Sequence, residues 1–130
     1  MADEQNAAEQ MTVLVVEPGY APYEKTSPHE LHAMQEIVGG LITVAYPYDE
    51  PVGFVANDEG LLMGMEFNRS IDGGYGGLVG PFFICGLTED SFCSLPPDQI
   101  ERFKEKFHKT GHAEMRLTVR RISARSSPRG

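Results

Sequence analysis

The sequence lacks several features that define common classes of protein. It contains no tryptophan, only two cysteines in 130 residues, and no apolar run close to the roughly 18 residues that a membrane-spanning helix needs. The first ten residues, MADEQNAAEQ, are acidic and polar, whereas a secretory signal has a basic start and an apolar stretch. These absences argue against a helical membrane protein and a disulfide-stabilised secreted domain. They predict a cytoplasmic protein with reduced thiols.

Positive charge is scarce over most of the chain. Residues 1–110 carry 18 acidic and 6 basic residues, a net charge of −12, and Arg69 is the only basic residue between Lys25 and Arg102. From Gly111 onward, five arginines accompany a single acid. Because an acidic body repels nucleic acid at long range, nucleic acid is not an expected partner of this body. The basic end is interpreted as a solvated tail that balances charge, or as a segment that holds a nucleic acid or an acidic partner.

Apolar periodicity predicts two helices separated by a run of strands. The segment YAPYEKT, residues 20–26, is predicted to be a loop. After it, Ser27 and Pro28 suit a helix start, with Ser27 as the capping residue, and Gly39 suits its end. A second helix is expected after the Pro96-Pro97 pair, with Gly111 ending it. Strands are predicted by apolar or alternating runs at 11–19, 41–47, 52–56, 61–67, 77–87 and 115–122.

Consecutive strands flanked by two helices are typical of the α+β class. We therefore predict a single small domain over residues 11–122, with a mainly antiparallel sheet of about five to six strands and two helices on one face. Residues 1–10 are predicted to be a disordered leader and residues 123–130 a flexible basic tail. Edge strands and a small core also favour a homo-oligomer.

No catalytic or metal-binding signature is readable in the chain. Cys85 and Cys93 are separated by seven residues with no second Cys or His pair nearby, so they are interpreted as packing residues rather than a zinc or redox site. His29 and His32 lie three residues apart, which fails the four-residue spacing of the zincin motif, and are interpreted as surface histidines. The prediction is therefore no catalytic residues, no metal and no cofactor.

The strongest candidate for a binding site is Arg69 with its neighbours. The arginine stands alone in an acidic stretch and directly precedes a glycine-rich loop, SIDGGYGGLVG. A guanidinium beside exposed backbone amides is suited to hold an anion or a nucleotide phosphate. The alternative is that Arg69 pairs with a local acid such as Glu66 or Asp72. The predicted ligand-binding residues are Arg69, Asn68, Gly73, Gly74, Gly76 and Gly77.

Several landmarks in a fixed order resemble a known family. They are VEPG, LHAMQEIVGG, LITVAYPYDEPV, a short NDEG turn, EFNR, GPFFICGL and DSFCSLPPDQIERFKEKF, over about residues 12–108. Together they resemble a small domain of unknown function found in phages, plasmids and other bacterial mobile elements, sometimes alongside antirestriction domains. The resemblance implies a compact α+β module in the cytoplasm of a bacterial host cell. It implies no activity, although Asn68-Arg69 matches a pair that recurs in that family.

Three functions remain open from the sequence. The first is a non-enzymatic accessory or anti-defence protein that binds a small anionic or nucleotide-like ligand or a host defence protein. The second is an acidic decoy that mimics DNA and occupies a host DNA-binding enzyme. The third is a small hydrolase or nuclease, which has little support because no nucleophile–base arrangement is readable.

Overall fold

The computed structural model describes residues 10–71 and 76–109. The predicted leader, the predicted strand at 115–122 and the basic tail therefore lie outside the described residues, apart from Gln10. The described part contains ten elements of secondary structure. They are β1 (Gln10–Val16), β2 (Tyr23–Pro28), α1 (Leu31–Val38), β3 (Ile42–Ala45), β4 (Val52–Asn57), β5 (Phe67–Ile71), β6 (Gly76–Val79), β7 (Phe82–Leu87), β8 (Phe92–Cys93) and α2 (Pro97–Lys106).

The main sheet is antiparallel throughout. Its strands follow the order β2-β1-β7-β4-β3, and the short β8 pairs with the end of β7 that β1 leaves free. Strands β5 and β6 form a separate two-stranded sheet. The predicted α+β class, with about six antiparallel strands and two helices in one small domain, is confirmed.

The two helices lie on opposite faces of the sheet, so the prediction of both on one face is wrong. Side chains alternate along a strand, and β1 shows the consequence: Val13 packs with Met34 of α1, whereas Leu14 packs with Phe103 of α2. Strands β1, β4 and β7 are apolar on both faces because each face is covered. Unbroken apolar runs such as LVV and FFIC carry this signal.

Strand β2 replaces the loop and helix start that the sequence predicted. Residues 23–28 pair with β1 over the full length of β2. Ser27 is buried and its hydroxyl donates to the carbonyl of Pro28, while the residue before α1 is Glu30, which makes no side-chain cap. The Ser27 capping prediction is therefore wrong. The sequence YEKT does not show the apolar alternation expected of a strand because all four of its residues are exposed.

The predicted strand at 61–67 is also displaced. Residues 58–64 form a turn whose backbone bonds include Met63 N–H to Glu59 O at 2.9 Å, and Leu61 and Leu62 are exposed. Regular pairing begins only at Phe67, in the β5–β6 hairpin. Gly76 and Gly77 of the glycine-rich stretch thus lie in β6, the second strand of this hairpin.

Candidate functional site

Arg69 is buried rather than presented at the surface. Its side chain is 2 % exposed. Nη2 donates to the carbonyl oxygens of Tyr20 at 2.7 Å and Phe107 at 3.0 Å, and Nε donates to Phe107 at 3.2 Å. Nη1 donates to Asn68 Oδ1 at 2.7 Å, with longer contacts to the carbonyls of Asn68 and Glu17. The guanidinium therefore binds the protein's own main chain.

Asn68 completes this arrangement, which we call the Arg69 node. The asparagine is fully buried, and its Nδ2 donates to the carbonyl oxygens of Val16 at 2.9 Å and Gly80 at 2.8 Å. The node joins the end of β1, the following loop, the β5–β6 hairpin and the end of α2. A cation is also favoured at the α2 carboxyl end, where the last carbonyls carry partial negative charge. The node therefore acts as a structural connection.

The expectation of an exposed Arg69 beside a glycine loop is wrong in its geometry. All three guanidinium nitrogens donate hydrogen bonds to oxygen atoms inside the protein, and the buried side chain does not present them at the surface. Gly73 and Gly74 lie outside the described residues. Gly76 has φ +79°, and a Cβ on Gly77 would lie 2.6 Å from Phe67 Cε1. These two glycines thus have conformational and packing reasons to be present.

The positions of the two cysteines are consistent with their interpretation as packing residues. Both are free thiols; Cys85 is buried in β7 and Cys93 is half-buried. Burial raises the pKa of the Cys85 thiol to about 12, with the nearby Cys93 adding to the rise. A thiol with so high a pKa is almost entirely protonated at neutral pH and is a poor nucleophile.

The two histidines of the HELH stretch have different surroundings. His32 is exposed and lies 3.1 Å from Glu36 Oε2, as expected of a surface residue. His29 is half-buried, with Nε2 at 2.8 Å from the Phe92 carbonyl and 3.0 Å from Ser91 Oγ. A carbonyl only accepts, so Nε2 carries the proton and cannot take one from the serine. This serine–histidine contact is therefore not a nucleophile–base pair.

Within residues 10–71 and 76–109, no strand pairs with the outer edge of β2, and the neighbouring strand β1 shows which main-chain groups that edge presents. Thr12 N–H donates to Ser94 Oγ at 2.9 Å, and Thr12 O accepts from Leu95 N–H at 2.9 Å, so Thr12 points away from β2. Because main-chain groups alternate sides, Val13 points towards β2, where it lies opposite Lys25. Glu24 and Thr26 of β2 consequently direct their N–H and C=O groups outward. No hydrogen bond among the described residues involves those outward groups.

A groove of about 440 Å³ runs beside this edge, between β2 and α1. Tyr23, Lys25 and Ser27 share the face that α1 covers, since they lie opposite the β1 residues that pack on that helix. The helix contributes the other wall, including Ala33 and Ile37. We call this feature the β2–α1 groove. It combines a line of outward-facing main-chain groups with a partly apolar trough.

The groove is acidic. Three carboxylates line it, from Glu17, Glu30 and Glu36, against the ammonium of Lys25 and the imidazole of His32, whose Nε2 lies 3.1 Å from Glu36 Oε2. Glu17 Oε2 accepts a hydrogen bond of 2.8 Å from the Tyr23 hydroxyl. Partial burial raises the pKa of Tyr23, and the Glu17 carboxylate raises it further by accepting that bond and by its charge. The lining therefore favours a positively charged occupant.

Sequence reasoning did not find this groove. Its carboxylates are far apart in the chain, and β2 itself was assigned to a loop. The signal that could have found it is the alternation in YEKTS, in which Tyr23, Lys25 and Ser27 share one face. That pattern is weak because the first four of the six residues of β2 are all exposed, so burial does not alternate along them.

The part of the chain that the structure describes is a small α+β domain in which β2 is an edge strand beside a helix. The chain belongs to the family described as a domain of unknown function, DUF3846, whose model matches residues 11–108. None of the curated proteins and none of the solved structures that were compared matches the chain. Neither helix in the described ranges has the length and apolar character needed to cross a membrane. Residues 10–71 and 76–109 hold no cluster of three or more potential metal-ligating side chains.

Proposed function

We propose that this protein is a non-enzymatic accessory protein that acts by binding another protein. The partner contributes an extended segment, which pairs with the outer edge of β2 and lays alternate side chains in the β2–α1 groove. The resemblance to a mobile-element family makes a bacterial host protein, such as a defence protein, the expected partner in the host cytoplasm. The observation that carries the proposal is the outward direction of the Glu24 and Thr26 main-chain groups next to a groove.

Strand addition uses the same hydrogen bonds that hold a sheet together. An edge strand presents a row of unpaired N–H and C=O groups, which is a template for another chain. In this mode of recognition the main-chain bonds contribute affinity, and pockets for alternate side chains contribute specificity. In this protein, the β2–α1 groove could serve as the pocket for alternate side chains, because Tyr23 and Ile37 provide apolar surface inside it.

The other functions considered from the sequence have less support. A small anionic ligand at Arg69 would have to displace several protein–protein hydrogen bonds of a buried cation. A DNA-mimicking decoy needs a dense run of unpaired acids, but Glu24 lies 3.5 Å from Lys104 and Glu50 pairs with Arg102. A hydrolase or nuclease would need a base beside its nucleophile, but His29 Nε2 carries a proton and cannot accept one from Ser91.

Amide NMR titration of the full chain tests the proposal. The probes are two soluble octapeptides, one alternating valine with arginine and one alternating valine with glutamate. Binding of either peptide should shift the amide signals of Glu24 and Thr26. Ile42 and Val44 serve as internal controls, because Leu41 O accepts from Asp58 N–H and so places their main-chain groups on the opposite edge of the sheet.

A matched peptide separates strand pairing from loose association. Two N-methylated versions of the same sequence carry their methyl groups on one or the other set of alternate residues, so each cannot donate along one edge. The version whose methyl groups face β2 should bind much more weakly, and the other should bind like the parent peptide. The proposal is contradicted if neither parent peptide shifts Glu24 or Thr26, or if both N-methylated versions leave the shifts unchanged.

A further inference from the structure

We infer that the partner segment is basic, with arginine or lysine at every second position. This inference rests on the proposed strand addition and names the chemistry of the segment. It concerns a partner protein, and occupation of the groove by a second copy of this chain is an outcome that the experiment must separate.

The geometry of an added strand determines which of its side chains enter the groove. Successive side chains of a strand point to opposite faces of the sheet. One alternate set would therefore lie on the α1 face with Tyr23, Lys25 and Ser27, and the other on the α2 face with Glu24 and Thr26. Only the first set meets the walls of the β2–α1 groove.

The charges on the α1 face select the residue type. Glu30 and Glu36 stand on the helix side of the groove and are exposed, while Glu17 lines it as well and is half-buried. Lys25 offsets one of these three charges. A flexible basic side chain could lay its methylene stem along Ile37 and keep its charged head near a carboxylate. An acidic segment would instead meet like charges, which disfavours it.

The α2 face does not select strongly for charged side chains in the partner segment. There, Glu24 already contacts Lys104 at 3.5 Å, and Thr26 is an uncharged neighbour. Residues of the segment on this face can therefore be apolar or neutral. The inferred motif alternates basic residues with valine-like or threonine-like residues, both of which suit an extended backbone.

Fluorescence anisotropy with the labelled arginine and glutamate octapeptides tests the inference. The full chain should bind the arginine peptide at least about tenfold more tightly than the glutamate peptide. Neutralising two groove acids with Glu30→Gln and Glu36→Gln should weaken arginine-peptide binding about threefold to thirtyfold, the range for two partly exposed ion pairs. Raising the ionic strength should reduce the difference in affinity between the arginine and glutamate peptides, because salt screens the charges.

A matched control removes the same charge elsewhere. Glu59→Gln with Glu66→Gln changes two exposed carboxylates that do not line the groove, and should leave the affinity unchanged. Chemical denaturation of both double variants should show unaltered stability, because all four side chains are exposed.

The outcomes distinguish this inference from the proposed function. If both octapeptides shift the Glu24 and Thr26 amides with equal affinity, strand addition stands and the basic preference is wrong. If neither binds at that edge, both are wrong. If light scattering finds a dimer that the Glu30→Gln, Glu36→Gln variant dissociates, the groove is occupied by a second copy and the inferred partner is wrong.

Discussion

The Arg69 node and the outer edge of β2 are two polar regions with opposite hydrogen-bonding states. In the node, a cation and an amide direct their donors at main-chain carbonyls within the domain. At the edge, the main-chain groups of Glu24 and Thr26 point outward beside an acidic groove. The comparison shows that an unusual residue in a sequence can be a structural connection, whereas ordinary residues can form the surface available for binding.

The largest expected effect is on the node. Arg69→Ala would leave the carbonyl oxygen of Phe107 and the side-chain oxygen of Asn68 buried without their donor. Each unsatisfied buried group costs about 1–3 kcal/mol, so the free energy of unfolding should fall by about 2 kcal/mol or more. Urea denaturation followed by circular dichroism measures this change.

The exposed Arg102 offers a matched control for the loss of an arginine. Arg102→Ala should alter the denaturation midpoint far less, because its partner Glu50 lies near the surface. A stable Arg69→Ala protein, with a loss below about 1 kcal/mol, would contradict the structural role of the node.

A smaller effect on stability is expected from substituting Gly76 and Gly77, which lie in β6. Gly77→Ala places a Cβ 2.6 Å from Phe67 Cε1 and 3.2 Å from Arg69 O, and should cost about 1–3 kcal/mol through overpacking. Gly76→Ala meets no atom within 4 Å but keeps φ at +79°, which costs about 1 kcal/mol. Chemical denaturation curves of the two variants measure both losses of stability. Neither substitution should change arginine-peptide affinity; a selective loss of affinity would restore the glycine stretch as a binding site.

The smallest effect concerns a surface ion pair. The hydrogen bond from Arg102 lowers the pKa of Glu50 below its ordinary value. A lowered folded-state pKa contributes stability above the unfolded pKa, and this contribution is lost as pH falls through the folded value. Carboxyl NMR titration should show the Glu50 pKa rising towards its ordinary value in Arg102→Gln. An unchanged pKa would show that the pair does not form in solution.

The sequence contains enough information to predict the fold class but not the arrangement of its edges. Buried strands such as FFIC are readable because both faces are apolar, and α1 is readable from its period and from Gly39. Strand β2 is not readable in this way. Most of its residues are exposed, so its sequence resembles that of a loop. The opposite placement of the helices depends on which side chains of β1 each helix covers, which periodicity alone does not decide.

The exposure of Arg69 was mispredicted for a similar reason. Charge scarcity singled out Arg69, but a solitary arginine can either bind a ligand or form a buried structural connection. The acceptors that decide between these are carbonyls of Glu17, Tyr20 and Phe107, and main-chain groups leave no trace in residue identity. The groove carboxylates likewise meet only after β2 pairs with β1.

Hydrogen exchange of the full chain without any peptide tests the central claim most directly. We predict an alternation along β2: the amides of Lys25 and Ser27, which face β1, should be protected, while those of Glu24 and Thr26 should exchange close to the rate of an unstructured chain. Residue-resolved NMR exchange reads both sets in one sample. Protection of Glu24 and Thr26 equal to that of Lys25 and Ser27 would mean that the edge is already covered, and would contradict the account.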